Sequence, residues 1–390
     1  GSGNVGAGAC FLDSDNDGDL DLYVANYLKF DYRTHPQRTA AGHPVYPSPM
    51  DFLPEPDILY RNDGQGAFTD ITRQAGIVDE RGTGMGIVAA DYDNDGDTDL
   101  FVLNDVAGNY LFRNDGTGHF EEAGLRAGFS YNLDGRALGS MGIDCADYDN
   151  DGWLDFFQTS YQKEPPVLFR NLGHGVLEDV TVRAGAHAGS VNNVKWGCGF
   201  VDFDNDGYRD LYVALGHLQD NIERFDSSSS YEARSVLLWN RGDGKFLDVS
   251  DRSGDGLRLK RSARGAAFDD LDNDGRVDVV VLNSRREPTV LSNQSPGDSH
   301  WLQVELQGVR CNRDAVGAKV KVVAGDLTLF DEKHSGRGYQ SHFGSRLHFG
   351  LGPRRRVDRI EVRWPGGGED VVENVEADQR LVVRQGATRP

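Results

Sequence analysis

Aspartates at the first, third, fifth and ninth positions of a nine-residue segment, with glycine at the sixth, can gather four carboxylates around one point. The chain contains this arrangement five times. The sets are Asp13, Asp15, Asp17 and Asp21; Asp91, Asp93, Asp95 and Asp99; Asp147, Asp149, Asp151 and Asp155; Asp202, Asp204, Asp206 and Asp210; and Asp270, Asp272, Asp274 and Asp278. Four carboxylates so close repel one another unless a cation sits among them. An oxygen-only set with no His or Cys nearby selects calcium, and the seventh residue (Asp19, Asp97, Trp153, Tyr208 or Arg276) can add its backbone carbonyl. About five Ca2+ ions are therefore expected. The spacing copies the start of an EF-hand loop, yet the twelfth position, where an EF-hand needs a bidentate Glu, holds Val24, Val102, Gln158, Val213 and Val281. These are not EF-hands. A solvated acidic turn is a fair alternative for one copy, but not for five with every aspartate intact.

The elements that must position these loops are strands. A Gly-rich apolar run precedes each loop (GMGIVAA, SMGIDCA) and an apolar or alternating run follows it (TDLFVLN, RDLYVAL). The loop starts lie 78, 56, 55 and 68 residues apart. Between them recurs a second phrase, LYRNDGQGAF from Leu59, LFRNDGTGHF from Leu111, LFRNLGHGVL from Leu168 and LLWNRGDGKF from Leu237, whose Asn and Gly suit a hairpin turn. Each repeat is then about four short strands, which predicts an all-β β-propeller, with a solenoid as the alternative. A Pro-rich stretch, residues 28–57, and a shorter one, Asp220 to Ser235, lengthen two intervals and are candidate partner contacts.

Composition narrows the partners. The net charge of -21 argues against nucleic acid, and no apolar run is long enough to insert into a membrane. Four cysteines without CxxC spacing form no disulfide framework; Cys10, Cys145 and Cys198 precede their loops at equivalent places and are read as buried core residues. The opening Gly1-Ser2-Gly3 leaves room for a removed leader or further sequence upstream.

With loops and tail taken together, the chain resembles the FG-GAP or VCBS repeat family, the calcium-binding propeller of integrin α-subunits. NRDAVGAKVKV from Asn312, SGRGYQSHFGSRLHFGLG from Ser335 and VDRIEVRWPGG from Val357 resemble the ASPIC/UnbV domain that follows such repeats in the cartilage acidic protein family and its bacterial relatives. The resemblance implies a propeller, commonly seven-bladed, over residues 1–297, and a small C-terminal β-sandwich over residues 298–390. It implies calcium ligation by the first, third, fifth and ninth Asp of each loop. Five loops are visible, so either further blades lie upstream or some blades lack the loop.

If all loops lie on one face, the strands leaving them deliver Asn26, Tyr27, Asn104, Asp105, Ser160, Tyr161, His217, Asn283 and Arg285 to the other. Such a polar and aromatic ring would suit a carbohydrate or protein ligand; ordinary polar loop starts are the competing reading. No metalloprotease, nucleophile-elbow or phosphate-loop motif is present, and the histidines lack ligand spacing. The expectation is an extracytoplasmic, calcium-stabilised binding or adhesion module, because calcium of this grade of site is plentiful outside the cytoplasm. A propeller enzyme, carbohydrate-active or tailoring a natural product, with its polar site on the face opposite the loops, is the alternative.

Overall fold

The computed structural model describes residues 5–77 and 82–387. Its repeats form five antiparallel sheets, the blades. Blade 1 runs Gly6–Leu12, Asp21–Asn26, Ile58–Asn62 and Phe68–Asp70; blade 2 runs Gly84–Ala90, Asp99–Asn104, Tyr110–Asn114 and Phe120–Glu122. Blades 3 and 4 repeat the order, starting with Ile143–Ala146 and Lys195–Val201, and blade 5 has three strands, Ala263–Asp269, Asp278–Asn283 and Thr289–Leu291. Every acidic loop joins the first two strands of its blade. The family resemblance implied seven blades, whereas the described residues form five, each with its loop and none without.

The first strands pack side by side in chain order, from blade 1 to blade 5. Their glycines make this approach possible. A Cβ on Gly86 would lie 2.3 Å from the carbonyl oxygen of Met141 in the next blade, and one on Gly142 2.2 Å from that of Trp196. Between blades, second and third strands supply the packed core, for example Phe101 stacked on Phe156 at 3.9 Å between ring centroids. Cys10, Cys145 and Cys198 are buried and unbridged, as core residues.

Beyond blade 5, a three-stranded sheet (Leu347–Gly352, His300–Gln307, Gln379–Arg384) and a four-stranded sheet (Leu327–Glu332, Lys319–Ala324, Arg356–Arg363, Glu369–Glu376) enclose a separate apolar core built on Leu302, Val320, Phe349, Ile360 and Trp364. This is a β-sandwich. Its segment 333–346, between Leu327–Glu332 and Leu347–Gly352, runs among the first strands and reaches all five blades. Gly336 sits so close to Ala9 that a Cβ would meet its carbonyl oxygen at 2.5 Å. His334 Nδ1 lies 3.0 Å from the Ala89 carbonyl oxygen, and Gly338 exchanges backbone hydrogen bonds with Ile143. Tyr339 meets Trp196 of blade 4 at 5.0 Å and Phe343 meets Phe268 of blade 5 at 4.8 Å.

At the middle of this plug, Arg337 donates from Nε to Asp144 Oδ1 at 2.5 Å and from Nη2 to the Cys145 carbonyl at 3.0 Å. Asp144 accepts a further bond from the Phe200 amide, so the carboxylate is held from two elements, the plug and the first strand of blade 4. Both partners are buried; burial raises the Asp144 pKa and the Arg337 charge opposes that shift. A charge left alone here would be costly. Asp144→Ala, which strands the Arg337 guanidinium, is expected to lower stability by about 3 to 5 kcal/mol in urea denaturation. Asp144→Ala combined with Arg337→Met should recover much of that loss; equal loss in the single and double variants would show that the pair is not coupled.

Candidate metal centres

Each acidic loop closes on itself through its first aspartate. In loop 3 (residues 147–155) Asp147 Oδ1 accepts from the Asp151 amide and Oδ2 from the Gly152 amide, both at 2.9 Å. The same pair of bonds recurs at Asp13, Asp91, Asp202 and Asp270. The turn requires a left-handed residue at the fourth position. Asn16, Asn94, Asn150, Asn205 and Asn273 fill it with φ of 57 to 60°, a region Asn tolerates. The amide of the seventh residue (Asp19, Asp97, Trp153, Tyr208, Arg276) donates to the fifth carboxylate (Asp17, Asp95, Asp151, Asp206, Asp274) at 2.8 to 3.1 Å.

The first and ninth aspartates are the deepest. Asp99, Asp155 and Asp210 are buried, and burial raises each pKa well above the usual carboxylate range. Burial likewise pushes Asp147 up to about 7 and Asp202 up to about 8, with neighbouring loop carboxylates adding to the shift. The loops thus concentrate negative charge where water screens it poorly.

Carboxylate oxygens converge in all five loops. In Asp13, Asp15 and Asp17; Asp91, Asp93 and Asp99; Asp147, Asp149 and Asp155; Asp202, Asp204 and Asp206; and Asp270, Asp272 and Asp278, one oxygen from each residue lies within 4.8 Å of the others, a grouping that can hold a metal ion. Asp21, Asp95, Asp151, Asp210 and Asp274 lie outside these groups; Asp21 and Asp210 are buried and accept from the Asn62 and Asn240 amides at 2.8 Å, as Asp278 accepts from Asn293 in loop 5.

Orphaned oxygens test the fit to a cation. Asp93 Oδ1, Asp149 Oδ1 and Asp204 Oδ1, all from third positions, are buried without a hydrogen-bond partner. Their other oxygens are held from outside the loop: Arg113 Nε binds Asp93 Oδ2 at 2.8 Å, Arg170 Nε binds Asp149 Oδ2 at 2.6 Å and Trp239 Nε1 binds Asp204 Oδ2 at 3.0 Å. A buried carboxylate oxygen with no donor is costly. Its position among other anions suits a hard cation with oxygen ligands.

The recurring Asn of the third strand is a functional residue that its reading as a turn former missed. Asn171 donates its backbone amide to Asp155 Oδ1 at 2.8 Å, while its Nδ2 donates to the Tyr92 carbonyl of loop 2 at 2.8 Å and to the Leu154 carbonyl at 3.1 Å. Asn114 reaches back to Ser14 of loop 1, Asn240 to Tyr148 of loop 3 and Asn293 to Phe203 of loop 4, each at 2.8 Å. Each loop is thereby tied to its neighbour. Its sequence signal is the invariant Asn before the turn in every copy of the phrase, where Asp, Leu or Arg follows it.

The C-terminal sandwich sits on the loop face. Lys319 Nζ binds Asp91 Oδ2 and, at 2.7 Å, Asn94 Oδ1 in loop 2; His348 Nε2 lies 2.6 Å from Asn205 Oδ1 in loop 4; Gln303 Nε2 donates to Asp270 Oδ2 at 2.8 Å in loop 5. Arg209 and Asp331 add a largely buried ion pair of 2.8 Å.

On the opposite side the expected polar ring is gathered only in part. Tyr27 and Tyr161 pack around Met85, Met141, Trp196 and the plug residue Tyr339. Tyr27 donates to Asp105 Oδ2 at 2.5 Å, and the Tyr161 and His217 rings meet at 5.8 Å. Asn26 and Asn104 are buried and bound to Pro56 and Gly108 carbonyls; Ser160 is buried too, Asn283 binds Glu287, and Arg285 pairs with Asp220. The two insertions meet here, with Asn221 Nδ2 donating to the Pro44 carbonyl at 2.8 Å and His43 stacked on Phe225.

Comparison with known proteins agrees with this architecture. The FG-GAP-like repeat profile matches residues 54–102, 91–157, 147–213 and 224–281, together more than half of the chain, and the ASPIC and UnbV profile matches 308–390. Cartilage acidic protein 1 of Homo sapiens is 27% identical over 327 residues, covering 82% of this chain and 46% of its own length. The Mus musculus protein of the same name is 27% identical over 82% of this chain and 47% of its own. The chain therefore spans about half the length of these relatives. Among solved structures, the Dos1 propeller aligns over 98% of this chain and 97% of its own at 10% identity, with a TM-score of 0.33.

The inter-loop tie can be tested directly. Asn171→Ala removes the donors to Tyr92 and Leu154 and leaves two carbonyls unmet, so a loss of about 2 to 3 kcal/mol is expected in urea denaturation. A loss below about 0.5 kcal/mol, the usual range for surface substitutions, would show that the tie does not hold the loops together.

Proposed function

The chain belongs to the FG-GAP-like repeat family and ends in an ASPIC and UnbV domain, and on that premise we propose that it is a calcium-stabilised, extracytoplasmic binding module for a carbohydrate or protein ligand. The observation that carries the reading is the set of buried, partnerless third-position oxygens of Asp93, Asp149 and Asp204. In this proposal Asp13, Asp91, Asp147, Asp202 and Asp270, with the third, fifth and ninth aspartates and the seventh carbonyl of each loop, hold about five calcium ions. When bound, the ion supplies charge compensation and a rigid corner between two strands. The repeats to about residue 297 form the scaffold, and the domain from about residue 298 caps it. Kinship with cartilage acidic protein supports a place outside the cytoplasm.

Five dications would take the formal charge from -21 to -11. At about 1 mM free calcium a site with a dissociation constant near 0.1 mM adds about 1.4 kcal/mol by mass action, and five such sites about 7 kcal/mol. For a chain of this size that corresponds to a melting shift on the order of 8 °C.

Thermal unfolding in calcium and in excess chelator tests the reading. Calcium should raise the midpoint by about 8 °C or more. Asp149→Asn should reduce that increment while changing the chelated midpoint little, because in the free loop relief of repulsion from the neighbouring carboxylates offsets the weakened contact with Arg170. Equal midpoints with and without chelator would overturn the proposal.

A further inference from the structure

A cleft of about 1210 Å³ lies where loops 2 and 3 face the outer surface of the four-stranded C-terminal sheet. Loop 3 differs from the others there. The sandwich makes direct hydrogen bonds to loops 2, 4 and 5, and Gly18 of loop 1 lies against Arg310, but among the described residues loop 3 fronts the cleft instead.

The two walls carry opposite charge. Asp95, Asp97 and Asp151 line one. The other presents three cations, Lys319, Lys321 and Arg363, against two anions, Glu361 and Glu369, from neighbouring strands of the sheet. Lys321 and Arg363 are exposed, and neither makes an ion pair within 4 Å among the described residues. Glu361, opposite Lys321 in register, turns instead to Arg359 at 2.6 Å, and Lys319 is already committed to Asp91 and Asn94. Two half-buried rings complete the lining, Trp153 from loop 3 and Phe330 from the sheet.

A ligand that fits must give hydrogen-bond donors to one wall and anions to the other, with apolar faces for the rings. A sugar carrying a ring carboxylate does all three in each residue: its hydroxyls donate, its carboxylate meets Lys321 or Arg363, and its C–H face covers an aromatic ring. An acidic peptide lacks the hydroxyl donors that the aspartate wall accepts, and a neutral sugar lacks the anion that Lys321 and Arg363 attract. We propose that this cleft binds an acidic saccharide chain, with Lys321 and Arg363 as its anion contacts and Trp153 and Phe330 as its stacking surfaces. The inference rests on the reading of the chain as a binding module, names the ligand class, and places the ligand on the loop face.

The test is calorimetric titration of the full chain in calcium with a galacturonate hexamer, with maltohexaose and hexaglutamate as comparators and a protein-free titration subtracted. The galacturonate hexamer should bind and the comparators should bind at least tenfold more weakly. Lys321→Glu with Arg363→Glu should weaken binding at least tenfold and Trp153→Ala severalfold, with melting midpoints near wild type, while Tyr161→Ala on the far face should change nothing. The inference falls if the hexamer does not bind, if either comparator binds equally well, or if charge reversal leaves binding intact. Calcium stabilisation without hexamer binding would refute the cleft alone; charge-dependent binding without calcium stabilisation would refute the calcium reading and leave the cleft standing.

Discussion

Repulsion among buried carboxylates is the constraint around which this molecule is arranged. Each blade bends from its first to its second strand through a loop that brings Asp side chains within 4.8 Å of one another, at burial that pushes several pKa values upward. Backbone amides satisfy the first and ninth aspartates, while the third positions of loops 2, 3 and 4 keep an oxygen with no donor. The remaining structure hangs on these corners. Third-strand asparagines bind each loop to the one before it, and the C-terminal sandwich takes its seat on loop side chains through Lys319, Gln303 and His348.

That seating explains why the sandwich is more than an appendage. Its segment 333–346 runs among the first strands and fixes them through Arg337, Gly338, Tyr339 and Phe343. In an arc of five blades, where among the described residues no comparable strand contact joins blade 5 to blade 1, such a segment supplies contacts that a closed ring would obtain from blade to blade. The packing of Tyr339 beside Tyr27, Tyr161 and Trp196 carries the influence of the sandwich through to the far face.

Much of this was legible from residue types and spacing. The loops, the strands on either side of them and the hairpin turns follow from local chemistry, since Asp spacing, Gly at the sixth position and Asn-Gly pairs act within a few residues. The five blades among the described residues follow from the five acidic loops, since each loop joins the first two strands of one blade. The plug and the docking of the sandwich were invisible: Arg337 and Asp144 are 193 residues apart, and no period connects them. Asn26 and Asn104 show the opposite failure. Their position past the strand ends suggested an open ring, but Asn26 donates to the Pro56 carbonyl, Asn104 to that of Gly108, and both are buried.

The central claim is that the loops are cation sites, and counting the metal tests it most directly. The protein, stripped with chelator, would be dialysed to equilibrium against calcium at about 10 mM, above the range expected for sites of this grade, and its bound metal measured by atomic emission against protein concentration. The account predicts about five calcium ions per chain, falling toward four in Asp147→Asn, Asp149→Asn combined. Fewer than one ion per chain, or a count unchanged in that variant, would contradict it.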